Sequence, residues 1–299
     1  MNGFRTAPKI ETDTVSRATL PAWDEWTTSG AWASTDNRTL PLSPGLLGDV
    51  LWLIRDPDVD TARLIRFISR DQSMAARVLR MANVAAYAPM IEVTSITQAV
   101  VRLGTESVRR ALLAVCFASW AQPAGSQTGH VKAQVAHGVV TGTLARHVAV
   151  AAGVDADEAF AQGLLHDIGK LVMLRLRAEY VRKGGVLPSV SELGRVEEER
   201  HAEVGAMAMQ LWGLPLILRE PIRWHHDPLS APTYPRAAAI IYIANTLSHR
   251  YEDEGGERTL ELAADPAMIG LGLTETWLAR TDARAIKLLE NADGLVVNC

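Results

Sequence analysis

The 299-residue sequence predicts an all-α protein, a multi-helical bundle with two helical sub-domains. Three observations predict it: apolar residues recur three and four positions apart, cap and stop residues bracket those runs, and the alternation expected of strands is almost absent.

The elements follow in order. Residues 1–40 are rich in Thr, Ser, Asp and Pro, with Trp23, Trp26 and Trp32 as scattered large apolar groups. They read as an extension without a core of its own, whose tryptophans pack on the main body. The body spans residues 41–280. Ser43-Pro44 is a cap followed by a first-turn proline, and Asp60 precedes Leu64, Ile65 and Ile68 at helical spacing. Ser95-Ile96-Thr97-Gln98 is a capping box before Val100, Val101 and Leu103, and Gly104-Thr105 stops one helix and starts the next.

Between Gln122 and Gly129 the composition turns to Pro, Gly, Ser and Thr, which divides a first sub-domain, 41–122, from a second, 130–250. There, helices are expected over Ala133–Ala152, from the Asp155–Glu158 cap to about Leu176, over His201–Trp212, over Leu216–His226 and over Arg236–Arg250. Tyr251–Glu257 is acidic and glycine-containing, hence a solvated loop. Helical spacing returns over Thr274–Asn291, and residues 281–299 make a C-terminal helix and tail.

Composition narrows the function. A net charge of -4 and a pI near 6.1 argue against nucleic acid as the principal partner, although Arg102, Arg109 and Arg110 form a local basic cluster. Two cysteines, Cys116 and Cys299, make no disulfide framework and fit a reducing compartment, with the cytoplasm as the expected location. Apolar runs such as Ala111–Ala121 fall short of the roughly 18 residues needed to cross a bilayer, so no membrane association is expected.

The chemistry lies in the histidines. His166 and Asp167 sit side by side in an otherwise apolar stretch, Phe160 to Lys170, and His225-His226 forms a second adjacent pair. Titratable groups in an apolar helix are costly unless compensated, and a bound metal ion compensates them economically. His137, His166, His201, His225 and His226 fall on four expected helices that would converge. Gly163, His166, Asp167 and Lys170 would make a narrow small-and-polar stripe opposite Leu164, Leu165, Ile168, Leu171 and Val172. Imidazole and carboxylate donors suit zinc, iron, manganese or nickel, with Asp167 able to bridge if two ions are present.

Structural roles compete with this. His166-Asp167 would also serve as a buried hydrogen-bonded pair, and His225-His226 as a helix C-terminus complementing the macrodipole. His130, His147 and His249 are assigned structural roles.

The order His137, His166-Asp167, His201, His225-His226 resembles the metal-binding framework of the HD superfamily of phosphohydrolases. Residues 40 to about 280 resemble more closely an HDOD domain, the HD-related output domain of bacterial signalling proteins. The stretches that carry this are Leu79–Tyr87, Ser95–Gly104, Gly163–Lys170, and His201–Ala206 running through Trp212-Gly213-Leu214-Pro215 to His225-His226. The resemblance implies one metal site from His137, His166 and Asp167, and a second from Asp167 with His201, His225 and His226. It also implies a closing aspartate on a later helix, where this chain carries Asn245. Asn245 would ligate through its amide oxygen without bringing negative charge, weakening the first site and any hydrolytic power. Two other departures are Val135, where the family tends to an aromatic, and Pro221, which interrupts the helix leading to His225.

The implied function is a regulatory signal-transduction output protein that is non-catalytic, with a full or residual site for one or two divalent transition-metal ions and a protein partner in a signalling pathway. The alternative is a metal-dependent phosphohydrolase acting on nucleotides or cyclic dinucleotides, in which Lys170 would hold a phosphate oxygen.

Overall fold

In a computed structural model, residues 20–30, 60–69, 93–121, 128–252 and 262–281 are described, with isolated positions at 32, 50, 53, 75, 78, 79, 81 and 82. The Ser43-Pro44 cap, most of Leu79–Tyr87, the boundary segment 122–127 and the tail beyond 281 lie outside the described residues. Among the described residues all regular structure is helical.

The first helices begin where their caps predict. Asp60 accepts from the Arg63 amide at the start of α2 (Thr61–Ile68), and Ser95 accepts from the Gln98 amide at 3.2 Å to start α3 (Ile96–Leu103). Gln98 reaches back to the Thr94 amide at 3.2 Å, one residue earlier than a standard capping box would place it. Before them, α1 (Trp23–Thr28) carries the tryptophans, and α4 (Thr105–Ala121) follows Gly104.

The second half departs from the expected boundaries. Helix α5 runs over Thr128–Ala152, starting five residues before the expected Ala133. The single helix expected to about Leu176 is two: α6 (Ala156–Leu165), capped by Asp155 at 3.0 and 2.8 Å, and α7 (Ile168–Arg182). His166 and Asp167 form the break between them. Helix α8 (Val190–Leu211) begins eleven residues before the expected His201, because Ser189 caps it by accepting from the Glu192 amide. Helix α9 (Leu216–Arg223) ends before the histidine pair, which therefore lies in a turn. Helix α10 (Pro235–Glu252), α11 (Pro266–Leu271) and a helical segment at 275–281 complete the described chain. None of the described helices is long and apolar enough to cross a membrane.

Two buried clusters hold these helices. The larger runs from Val50 and Leu64 through Leu112, Val139 and Leu165 to Met209 and Ile222, so it draws on both halves of the chain. The smaller joins Leu144 and Val148 of α5 to Ile240, Ile243 and Leu247 of α10, with Met268 and Leu278 beneath. Trp23, Trp26 and Trp32 are buried in the larger cluster, as expected. Trp23 and Trp26 bracket Tyr180 of α7 at 5.3 and 5.1 Å, and the Tyr180 hydroxyl donates to the Pro21 carbonyl at 2.8 Å.

Two glycine contacts set the spacing of the central helices. A Cβ on Gly163 would sit 2.9 Å from the Gly142 Cα, so α6 lies directly against α5. A Cβ on Gly169 would sit 1.8 Å from the His201 carbonyl oxygen, so α7 and α8 touch backbone to backbone beside His201.

Candidate metal centre

Four segments deliver the titratable side chains to one place. His137 comes from the middle of α5, His166 and Asp167 from the break between α6 and α7, His201 from the middle of α8, and His225 and His226 from the turn after α9. The stripe expected on one continuous helix is not formed as such. Gly163, His166, Asp167 and Lys170 are buried, and so are Leu164, Leu165, Ile168, Leu171 and Val172, because core covers the break on all sides.

The rings are oriented by backbone. His166 Nδ1 lies 2.8 Å from the Gly163 carbonyl, His201 Nδ1 2.9 Å from that of Glu197, and His225 Nδ1 2.6 Å from that of Ile222. A carbonyl oxygen only accepts, so in each ring Nδ1 carries the proton and Nε2 keeps its lone pair. This is the tautomer lock that fixes a metal-ligating imidazole.

The Nε2 atoms face one another and Asp167. His201 Nε2 is 3.4 Å from His225 Nε2 and 3.0 Å from His226 Nε2. Asp167 Oδ1 lies 3.1 Å from His201 Nε2, 3.4 Å from His166 Nε2 and 3.7 Å from His225 Nε2, while Oδ2 lies 3.9 Å from His137 Nε2. Two groups have donor atoms mutually within 4.8 Å: His137, His166 and Asp167, and His201, His225 and His226. Asp167 stands between them, in reach of both.

Electrostatics favour the neutral form of His166, His225 and His226 and the charged form of Asp167. Burial pushes His166 down to about 4, against the pull of Asp167. Burial, reinforced by the neighbouring imidazoles, holds His225 well below the ordinary histidine value and lowers His226. Burial alone would raise Asp167, but His166, His201 and Lys170 outweigh it and hold the carboxyl well below its usual range. Neutral imidazole and ionised carboxylate are the forms that bind a metal.

The donor set fits a divalent ion. His166 Nε2 and the Asn245 Oδ1 are buried without a hydrogen-bond partner among the described residues, a costly state that a cation would relieve. The Nε2 lone pairs of His201 and His225 stand 3.4 Å apart and oppose each other, a repulsion that a positive charge between them would relieve.

Asn245 lies on α10 one turn before His249, whose ring is 4.8 Å from that of His137. Ser248 of the same stretch meets Thr141 of α5 at 3.2 Å, so this part of α10 packs along the helix carrying His137. His249 therefore stands beside the cluster, a position that its exposed, polar sequence context does not reveal. His130, at 3.5 Å from Glu197, and His147, at 3.2 Å from Thr281, lie away from it. Val135 is buried. Lys170 turns its ammonium to Asp167 Oδ2 at 2.9 Å and to Glu198 at 3.2 Å.

Pro221 does not misplace the second pair. It removes the amide that would bond the Ile217 carbonyl, and Gln162 of α6 donates to that carbonyl instead, at 2.9 Å. Buried Glu220 accepts from the Thr233 and Tyr234 amides at 2.6 and 2.7 Å, tying the end of the following turn back onto α9.

An all-helical bundle in which distant histidines and one aspartate meet across a helix break has the architecture of the HD-like proteins. The chain belongs to the HDOD domain family, whose pattern matches residues 40–228. An HDOD domain protein of unknown function from Geobacter sulfurreducens shares the fold at a TM-score of 0.69 and 20% identity, over 90% of this chain and 97% of that one. A candidate phosphohydrolase from Shewanella amazonensis SB2B superposes with a TM-score of 0.62 at 25% identity, over 87% and 94% of the two chains. An uncharacterised protein of Treponema pallidum (strain Nichols) is 28% identical over 251 residues, 79% of this chain and 48% of that protein. The chain thus spans about half the length of that curated relative.

Proposed function

We propose that this chain is a non-catalytic signalling output module whose clustered imidazoles, with Asp167, hold one or two divalent transition-metal ions. In this reading His137, His166 and Asp167 hold one ion with Asn245 as a further oxygen donor, and Asp167, His201, His225 and His226 hold the other. An ion there supplies Lewis acidity and fixed positive charge. The residues orient the donors and, His226 excepted, keep them out of bulk water. The output is contact with a protein partner, governed by the state of the centre, and the ligand class sensed is a nucleotide or cyclic dinucleotide. The arrangement suits a protein working in a reducing, cytoplasmic setting.

The observation that carries the reading is the shared orientation of the Nε2 atoms, locked by backbone carbonyls at 2.6–2.9 Å, around Asp167. Elemental analysis of the untagged protein tests it, with iron, manganese, zinc or nickel expected near stoichiometry. Protein free of metal after purification and reconstitution would overturn the reading.

The absence of catalysis rests on Asn245, which brings no charge to the first group. Cyclic dinucleotides and generic phosphodiesters should stay intact with manganese or iron present, and Asn245→Asp should gain turnover. The second reading, a metal-dependent phosphohydrolase, is favoured by the two intact donor groups and by the name of the Shewanella relative. Wild-type turnover that His166→Ala and Asp167→Ala abolish would establish it instead.

A further inference from the structure

Three consecutive glutamates on α8 have different fates. Glu197 is buried and bound by Arg177 at 2.6 Å, and Glu199 is half-exposed and paired with Arg195 of its own helix at 2.7 Å. Glu198, with its side chain 67% exposed, turns inward to a Lys170 ammonium whose side chain is only 10% exposed. His201 lies three positions after Glu198, so the Glu198 side chain leaves α8 on the His201 face, at the edge of the cluster.

Lys170 has a permanent partner already. Asp167 Oδ2 accepts from its ammonium at 2.9 Å, while Oδ1 of the same carboxylate is turned to the imidazoles. Glu198 is thus a second, solvent-facing counter-charge on a buried cation. Asp167 is the one carboxylate in the two donor groups, so a divalent ion leaves the centre net positive even with Glu198 in place. A centre with that balance attracts anions, and the Glu198 carboxylate stands where an incoming anion would meet Lys170.

We propose that Glu198 is a built-in competitor at an anion subsite on Lys170, and that the phosphoryl group of a ligand binds there by displacing it. This deepens the reading of the cluster as a ligand-sensing centre and rests on it. Departure of Glu198 costs little, since the side chain is largely exposed and its helix is held by its buried neighbours. Entry of the phosphoryl group would therefore move a surface carboxylate on α8, giving the site an outward signal without any bond being cleaved.

The test is the affinity of the full chain for inorganic phosphate by calorimetry, both as purified and after chelation. Glu198→Gln and Glu198→Ala should tighten binding about tenfold by removing the competing charge. Glu199→Gln changes the net charge equally on the same helix and should leave affinity at the wild-type value. Lys170→Met should erase the gain when combined with Glu198→Ala. Unchanged affinity in both Glu198 variants, an equal gain in Glu199→Gln, or a gain that survives Lys170→Met would each overturn the proposal. Metal retained without a Glu198 effect sinks this inference alone, whereas a Glu198 effect in protein that never holds metal keeps the subsite and sinks the metal reading.

Discussion

A proline in the last helix before the second histidine pair would ordinarily misdirect it, and one side chain prevents this. Gln162 donates to the Ile217 carbonyl that Pro221 leaves without its helical partner. Gln162→Leu keeps the volume and removes the donor, so the cost should be that of an unsatisfied part-buried carbonyl, about 1–2 kcal/mol. Urea melts would read it as a lowered midpoint with an unchanged slope. Pro221→Ala restores an amide at the right position, so the Gln162→Leu penalty should shrink in that background. Equal penalties in both backgrounds would mean that Gln162 stabilises by some other route. At this scale the sequence was legible for the side chains that cluster, because His166-Asp167 and His225-His226 are conspicuous in it. It was not legible for Gln162, Glu220 or Glu198, whose roles depend on partners 55, 13 and 28 positions away. Local spacing carries no mark of such partners.

The helices meet at the centre because two of them lack a side chain where they cross. At Gly169 even a methyl group would fall 1.8 Å from the His201 carbonyl, and backbone cannot swing aside as a flexible side chain can. Gly169→Ala should therefore force α7 and α8 apart, at about 1–3 kcal/mol or more. The same movement displaces His201 from Asp167, so the variant should lose the proposed metal as well as thermal stability. A variant that melts like wild type and keeps its metal would show that the crossing is looser than described. Gly205, facing Gly169 across the same crossing, has its nearest contact at 3.1 Å and should tolerate alanine better. Helix existence and caps were legible from Asp60, Ser95 and Asp155, since capping is a local bond. The break at His166-Asp167 was not, because apolar periodicity continues through it. What ends α6 there is the convergence of tertiary donors. The start of α8 was missed for a related reason: Val190–Arg200 is mostly charged and lacks the apolar stripe by which helices are recognised.

On the scale of the molecule, the two halves of the chain are joined by charge as well as by a shared core. Arg110 of α4 reaches Asp157 of α6 at 2.9 Å, Arg146 of α5 stands 3.8 Å from the same carboxylate, and Arg109 pairs with Glu106 at 3.3 Å. A hydrogen bond to Asp157 raises Glu106 to about 7 from 4.5, helped by burial and opposed by Arg109 and Arg110, while Asp157 itself is lowered. Between pH 4.5 and about 7 the folded protein thus favours a proton on Glu106 that the unfolded chain has released. A raised acid contributes stability fully below its unfolded value and loses it as pH climbs, so this contribution should fade between pH 4.5 and about 7. The buried histidines act in the opposite sense: His166 and His225 are held neutral by burial, so their contribution is present above 6.5 and falls as the solution is acidified. A bare stability profile would mix the two, and the difference between wild type and Glu106→Gln separates them. Glutamine keeps a donor toward Asp157 and cannot ionise, so the variant should match wild type near pH 5 and melt higher than wild type at pH 8. The gap should be modest, since the Glu106 side chain is 51% exposed and water screens the pair. Chelated protein should show the same difference, because this junction lies apart from the imidazoles. A gap that stays constant from pH 5 to 8 would mean that no proton is held between Glu106 and Asp157, and that the halves are joined by the arginine pairs and apolar contacts alone.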